Sequence, residues 1–187
     1  RSHARGATSL CQAGGWLCCG NGDGSIELWN AQSRRLSSTL RGHVTAVQAL
    51  CEVSGWLFSG GHDATIRQWS LGRRKCVATM EGHEGAVSAL CAAGGRLCSG
   101  GSDSTVRLWD IAQQRCVATL RGHSRGVYSL CFAAGLICSG GHDNTVKLWD
   151  PAYSICRATL PAHGDGVRAL AQAGGTLWSG GGGGGGA

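Results

Sequence analysis

"GGSDSTVRLWD", residues 100–110, opens on two glycines, turns at Asp103, runs through a β-branched stretch and closes on Trp109-Asp110. Such a string reads either as a local site that does chemistry or as one copy of a building block. Forty residues upstream stands "GGHDATIRQWS" (60–70), forty downstream "GGHDNTVKLWD" (140–150), and a weaker "GNGDGSIELWN" fills 20–30. The stretch is therefore a building block. Trp29, Trp69, Trp109 and Trp149 keep the spacing of 40, as do Asp23, Asp63, Asp103 and Asp143, and Gly42-His43 returns as Gly82-His83 and Gly122-His123. A fixed period of this length defines a repeat architecture. Alignment on the histidines gives units 3–42, 43–82, 83–122 and 123–162, then a partial unit 163–180 and a glycine-rich tail, 181–187.

Each unit has room for four strands. In the third, "AVSALC" (86–91) and "RLCSG" (96–100) flank Gly94-Gly95, a two-residue link that favours a tight hairpin. "TVRLWD" and "QRCVATL" follow as two more strand-sized runs rich in β-branched residues, and no segment sustains a helical period. The unit is a four-stranded antiparallel meander, and stacked copies bury faces that none buries alone.

The Gly-His opening, the Ser-Gly-Gly-x-Asp turn and the Leu-Trp-Asp close resemble the WD40 repeat family over nearly the whole chain. The resemblance implies an all-β fold, a partial β-propeller of four-stranded antiparallel blades. It also implies buried hydrogen-bonded sets of histidine, serine, aspartate and tryptophan. These are His43, Ser59, Asp63 and Trp69; His83, Ser99, Asp103 and Trp109; and His123, Ser139, Asp143 and Trp149. Independently of family, a buried carboxylate, imidazole, hydroxyl and indole N–H are costly unless they satisfy one another. The first unit departs from the pattern, with no glycine before His3 and Cys19 at the serine position. The last departs further, with Ala162 for glycine and Gly183 for the aspartate. Since the family closes a ring of about seven blades, four and a half units read as a fragment, and as a self-associating chain if the sequence is complete.

The chain has 187 residues, 42% hydrophobic, with 33 glycines placed at recurrent turns. It contains no apolar run as long as the roughly 18 residues of a membrane span. Its 11 cysteines fall in phase: Cys11, Cys51, Cys91 and Cys131; Cys18, Cys98 and Cys138; Cys76, Cys116 and Cys156. Phase inside strands favours packing as small hydrophobes over metal or redox roles, and implies a reducing, intracellular compartment, cytoplasm or nucleus. A two-residue turn nevertheless sets Cys91 opposite Cys98, Cys11 opposite Cys18 and Cys131 opposite Cys138. Two thiols on one hairpin do not complete a tetrahedral zinc site.

Few groups remain for catalysis. Asp23, Asp63, Asp103 and Asp143 belong to the repeated turn, and Asp110 and Asp150 to the Trp-Asp close. Asp165, Glu27, Glu52, Glu81 and Glu84 do not recur as a pair. Among histidines outside the phase only His62 and His142 are left. The expectation is a protein that is not an enzyme, with no catalytic residue, cofactor or metal.

Binding remains, and the informative positions are those where the repeats differ. The resemblance implies a partner surface on the narrow top face. There the turn contributes His62, Ser102 and His142, and the start of the inner strand contributes Gln48, Ser88, Tyr128 and Arg168. Tyr128 and Arg168 are the anchor types enriched at interfaces. The expected function is a scaffold or adaptor for other proteins or peptides, of the kind found among substrate-recognition parts of ubiquitin ligases. The alternative is an RNA-binding or RNA-processing propeller. The net charge is +6, and Arg34-Arg35, Arg73-Arg74-Lys75, Arg115 and Arg157 crowd the link between third and fourth strands as a basic rim. Nucleic acid is the weaker reading, because no stacking aromatics are interleaved with these charges.

Overall fold

The computed structural model describes residues 6–182; His3, Gly183 and the rest of the glycine tail lie outside them. The chain divides into two compact units, with the boundary between Val87 and Ser88. All regular structure among the described residues is strand, with no helix.

In the first unit, β1 (Ala7–Ala13), β2 (Trp16–Asn21), β3 (Ile26–Asn30) and β4 (Leu36–Leu40) form one sheet in chain order, every neighbour antiparallel. A second sheet repeats the arrangement with β5 (Val47–Val53), β6 (Trp56–Gly61), β7 (Ile66–Ser70) and β8 (Lys75–Met80). The second unit holds a third sheet of β9 (Val87–Ala93), β10 (Arg96–Gly101), β11 (Thr105–Asp110) and β12 (Arg115–Arg121), with Val87 at the boundary. It also holds a fourth sheet, of β13 (Val127–Ala133), β14 (Leu136–Gly141), β15 (Thr145–Asp150) and β16 (Ile155–Pro161). The two-stranded pair of β17 (Val167–Ala173) and β18 (Thr176–Gly181) follows.

The inner hairpins show why the sequence turns where it does. Gly94 and Gly95 have φ of 55° and 78°, and Gly14-Gly15 and Gly174-Gly175 match them. Positive φ at both central residues is the type I′ turn, whose twist suits adjoining antiparallel strands. The second and fourth hairpins make the same turn with Ser54 (φ 51°) and Ala134 (φ 49°) at the first position, so a side chain is held in the left-handed region there.

Packing follows the repeat. Within the first unit Trp69 is fully buried in one cluster with Ala13, Cys18, Ile26, Leu28 and Leu40 of the preceding sheet. In the second unit Trp149 packs likewise with Cys98, Val106, Leu108 and Leu120. Trp69 and Trp149 therefore each fill the face of the preceding sheet within their own unit. Inner strands approach closely because a glycine stands at the contact: a Cβ on Gly140 would lie 2.5 Å from Val167 Cγ1 and 2.5 Å from Ser129 Oγ. The cysteines are less uniformly interior than phase alone implies. Cys18, Cys91, Cys98 and Cys138 are buried, but Cys11, Cys51, Cys76, Cys116 and Cys131 are half-buried, and Cys156 on the outer strand β16 is exposed.

Candidate interaction face

The loops that meet at one end of the sheets are held by a relay of side chains. In the second sheet Trp69 Nε1–H donates to Ser59 Oγ at 2.7 Å, and the Ser59 hydroxyl donates to His43 Nε2 at 2.7 Å. His43 Nδ1–H then donates to Asp63 Oδ2 at 2.9 Å. The directions follow from chemistry, since the indole only donates, the carboxylate only accepts, and serine has one proton to pass on. Asp63 is also met by Thr65 through its hydroxyl (2.7 Å) and backbone N–H (3.2 Å), and by the Val44 N–H at 3.2 Å. The fourth sheet repeats the relay. Trp149 donates to Ser139 at 2.7 Å, Ser139 to His123 at 2.7 Å and His123 to Asp143 at 2.9 Å, with Thr145 and the Ser124 N–H on the carboxylate. In the third sheet Trp109 donates to Ser99 at 2.8 Å and Thr105 to Asp103 at 2.8 Å, and His83 is buried.

This wiring requires a neutral imidazole, because a protonated Nε2–H would leave the serine proton without its acceptor. The electrostatics agree. Burial pushes the His43 and His123 imidazoles below their usual value, outweighing the aspartate partners. For the carboxylates burial alone acts upward, yet the donors win. Thr65 and His43 lower Asp63, while the Ser124 N–H, Thr145 and His123 hold Asp143 at about 2.

The first sheet lacks a serine at this position. With Cys19 there, the Trp29 indole turns to Glu27 Oε2 at 3.0 Å, and Asp23 is tied locally to Ser25 through its hydroxyl (2.6 Å) and N–H (3.0 Å). In the last pair of strands His163 Nε2 reaches Ser179 Oγ at 3.0 Å but stays exposed.

The relay fixes the turn whose preceding residue faces solvent. His62 N–H donates to Ala46 O at 2.8 Å, and His142 N–H to Gly126 O at 2.9 Å, so each turn is tied to the loop leading into its inner strand. On those inner strands the pairing register slips between Val47 and Ala49, between Val127 and Ser129, and between Val167 and Ala169. Gln48, Tyr128 and Arg168 are therefore bulge residues, and a bulge re-aims the side chain it carries. Tyr128 is 36% exposed and its ring lies 5.2 Å from that of His142 at an interplanar angle of 38°. Arg168 is exposed. A Cβ on Gly166 (φ 65°) would lie 3.3 Å from His142 Cδ2, so the loop before Arg168 passes directly beside His142.

The structure thus brings Tyr128, His142 and the approach to Arg168 into one patch of the second unit. In the same unit Ser102 is exposed beneath the Gly126 loop and Ser88 is half-buried on β9. In the first unit His62 is exposed and Gln48 half-buried, and no ring contact or hydrogen bond joins them. One residue of the patch is not marked by repeat phase. Asn144 Oδ1 accepts from Gly166 N–H at 2.6 Å and its Nδ2 donates to Gly164 O at 3.2 Å, bracing the loop. Its only sequence signal is asparagine after the turn aspartate, where φ is 64° and asparagine is among the few side chains that tolerate it.

Three of the seven cations of the opposite link are engaged, Arg74 with the preceding sheet and Arg115 and Arg157 with their own. Arg74 lies 6.0 Å over the Trp16 ring and donates to Ser37 Oγ at 3.2 Å. Arg157 pairs with Asp150 at 2.7 Å and covers Tyr153, and Arg115 donates to Gln113. Arg34, Arg35, Arg73 and Lys75 stay exposed. Two depressions occur elsewhere. One of about 260 Å³ adjoins Leu17, Cys19, Glu27, Trp29 and Arg34, the other of about 270 Å³ adjoins Arg96, Phe132 and Pro151, and neither is lined by Gln48, His62, Ser88, Ser102, Tyr128, His142 or Arg168. Among the described residues no three His, Cys, Asp or Glu side chains converge as metal ligands, and no helix is long and apolar enough to cross a membrane.

Comparison with known proteins supplies independent findings. The sequence profile described as "WD domain, G-beta repeat" (WD40) matches residues 34–70, 74–110 and 114–150. The first match runs from β4 through β7 and the third from β12 through β15, so each sequence repeat takes its first strand from one sheet and three from the next. No curated protein matches the sequence. Among solved structures, a chain of the "Crystal Structure of Mitotic Checkpoint Complex" superposes with a TM-score of 0.90 at 24% identity, over 97% of this chain and 59% of that one. The present chain therefore spans less than two thirds of that chain's length, and the likeness establishes the fold, a WD40 β-propeller of four-stranded blades.

Proposed function

The chain belongs to the WD40 repeat family, and from that premise we propose that it is a non-catalytic scaffold that binds other proteins or peptides through the rim of relay-held loops, with Tyr128, His142 and Arg168 at the centre of the contact. The observation that carries this reading is the Tyr128–His142 ring contact at 5.2 Å over the buried relay of the fourth sheet, beside the bulge-presented Arg168 of the next strand pair. A rigid aromatic and an arginine on a preorganised platform bind at low entropic cost. Gln48, His62, Ser88 and Ser102 extend the surface. Substrate recognition within a ubiquitin ligase is one assembly that such a face serves. The free thiols support a reducing intracellular setting.

RNA binding through the basic rim is less favoured, because Arg74, Arg115 and Arg157 are already engaged. Quantitative affinity capture with the wild type, a Tyr128→Ala/Arg168→Ala double variant and an Arg73→Glu/Arg74→Glu variant separates the two readings. The expected result is a set of bound proteins lost only in the first variant, with both variants melting like the wild type. Retention there, together with salt-sensitive RNA capture lost in the second variant, would favour the nucleic-acid reading.

A further inference from the structure

Three inner hairpins carry matched thiols, and in the third, Cys91 on β9 and Cys98 on β10 across the Gly94-Gly95 turn, both are buried. Cys131 on β13 is the register partner of Cys138 on β14, and Cys11 on β1 that of Cys18 on β2. At the same register the second hairpin sets Cys51 against Phe58 and the fifth sets Ala171 against Trp178, so neither hairpin offers a second thiol at that position. Directly opposed residues of antiparallel strands have Cα atoms about 4.5–5.5 Å apart, within the roughly 4.4–6.8 Å that a disulfide spans. Cys131 is half-buried and meets solvent, whereas Cys138 is buried behind it. One sulfur is thus placed to meet a small oxidant and the other to follow.

We propose that Cys131 and Cys138 form a reversible dithiol–disulfide site that reacts with small peroxides, Cys131 being the attacking sulfur and Cys138 the resolving one. The Cys138 thiol beside it holds Cys131 below the usual cysteine value, while Cys138 itself is raised and keeps its proton. In the first hairpin burial pushes Cys18 up to about 12 and raises Cys11, so the same pairing there has no ready thiolate.

The Cys131 thiolate attacks one oxygen of hydrogen peroxide, the O–O bond breaks, and the departing hydroxide takes up a proton to leave as water, with sulfenic acid at Cys131. The Cys138 sulfur then attacks the Cys131 sulfur. An S–S bond forms, the S–O bond breaks, and the Cys138 proton leaves with the hydroxide as a second water. The two sulfurs supply the two electrons that reduce the peroxide.

The test exposes the full chain to hydrogen peroxide, alkylates the remaining thiols and maps linkages by mass spectrometry over time. A Cys131–Cys138 link should form before any Cys11–Cys18 link and revert with dithiothreitol, while Cys51 acquires no link within its hairpin. Cys138→Ser should leave a dimedone-reactive sulfenic acid at Cys131. If Cys131 remained alkylatable when Cys51 was already oxidised, bonded to a different cysteine, or reacted after Cys11, the assignment would be overturned. Should Cys138→Ser fail to fold, the wild-type time course decides by itself.

Discussion

Asp143 shows how much one carboxylate supports. It accepts from His123, from the Thr145 hydroxyl and N–H, and from the Ser124 N–H, which joins two loops and a strand through one side chain. Asp143→Ala removes every acceptor at once and strands a buried imidazole, so a loss of about 2–4 kcal/mol is expected in urea unfolding. Asp110→Ala, which touches only the exposed N–H groups of Ala112 and Gln113, should cost at most about 1 kcal/mol. The relay also sets a pH dependence. His43 and His123 are held below their usual 6.5, so the unfolded chain binds protons the folded chain refuses. Their contribution is present above pH 6.5 and declines as pH falls beneath it. A second loss follows as pH falls through 3.8 toward 2, where Asp143 is protonated in the unfolded chain first. Thermal midpoints across this range should therefore drop in two stages, and a midpoint that rose on acidification below 6.5 would contradict neutral imidazoles. At this scale the second and fourth relays are legible in sequence because all four members recur in phase, and a buried set has to be satisfied internally. The turning of Trp29 to Glu27 is not, because it follows from a missing hydroxyl and the reach of one half-buried glutamate two residues away.

Strands and turns follow the repeat so closely that their deviations carry most information. Ala134 occupies the left-handed position that Gly94 takes in the third hairpin. Ala134→Gly should stabilise by about 0.5–1 kcal/mol, and Gly94→Ala should destabilise by a similar amount, both read from shifts in the urea midpoint. Gly140→Ala should cost more, about 1–3 kcal/mol, since its Cβ would stand 2.5 Å from Val167 Cγ1 on the neighbouring inner strand. Hairpin positions can be read from Gly-Gly pairs because turn chemistry is local. The bulges under Gln48, Tyr128 and Arg168 cannot, because a register slip depends on how two strands pair rather than on either one. The same holds for Asn144, whose loop partners Gly164 and Gly166 lie in the following repeat.

Charge is a property of the whole chain, yet its effect depends on where each cation ends. The +6 balance and the clustered arginines make nucleic-acid binding plausible from composition. In the folded protein Arg74, Arg115 and Arg157 are engaged locally, and four exposed cations, Arg34, Arg35, Arg73 and Lys75, remain in those clusters. For a single-stranded RNA the salt dependence of binding should be no steeper than a log–log slope of about −3, as four phosphate contacts allow. A steeper slope in a fluorescence titration would mean that many more cations take part. Sequence reveals the inventory of charge; only folding reveals that Trp16 and Tyr153 sit where arginines can cover them.

The tryptophan that begins each relay is also a built-in reporter. Trp69, Trp109 and Trp149 each lodge an indole hydrogen on a fully buried serine. That hydrogen meets deuterated solvent only when its own blade opens. Trp16, Trp56 and Trp178 are exposed to differing degrees and exchange without any such opening. In a nitrogen-edited NMR spectrum three indole signals should outlast the others in heavy water. Their separate decay rates would then give the opening free energy of each repeat, read without a mutation or an attached dye.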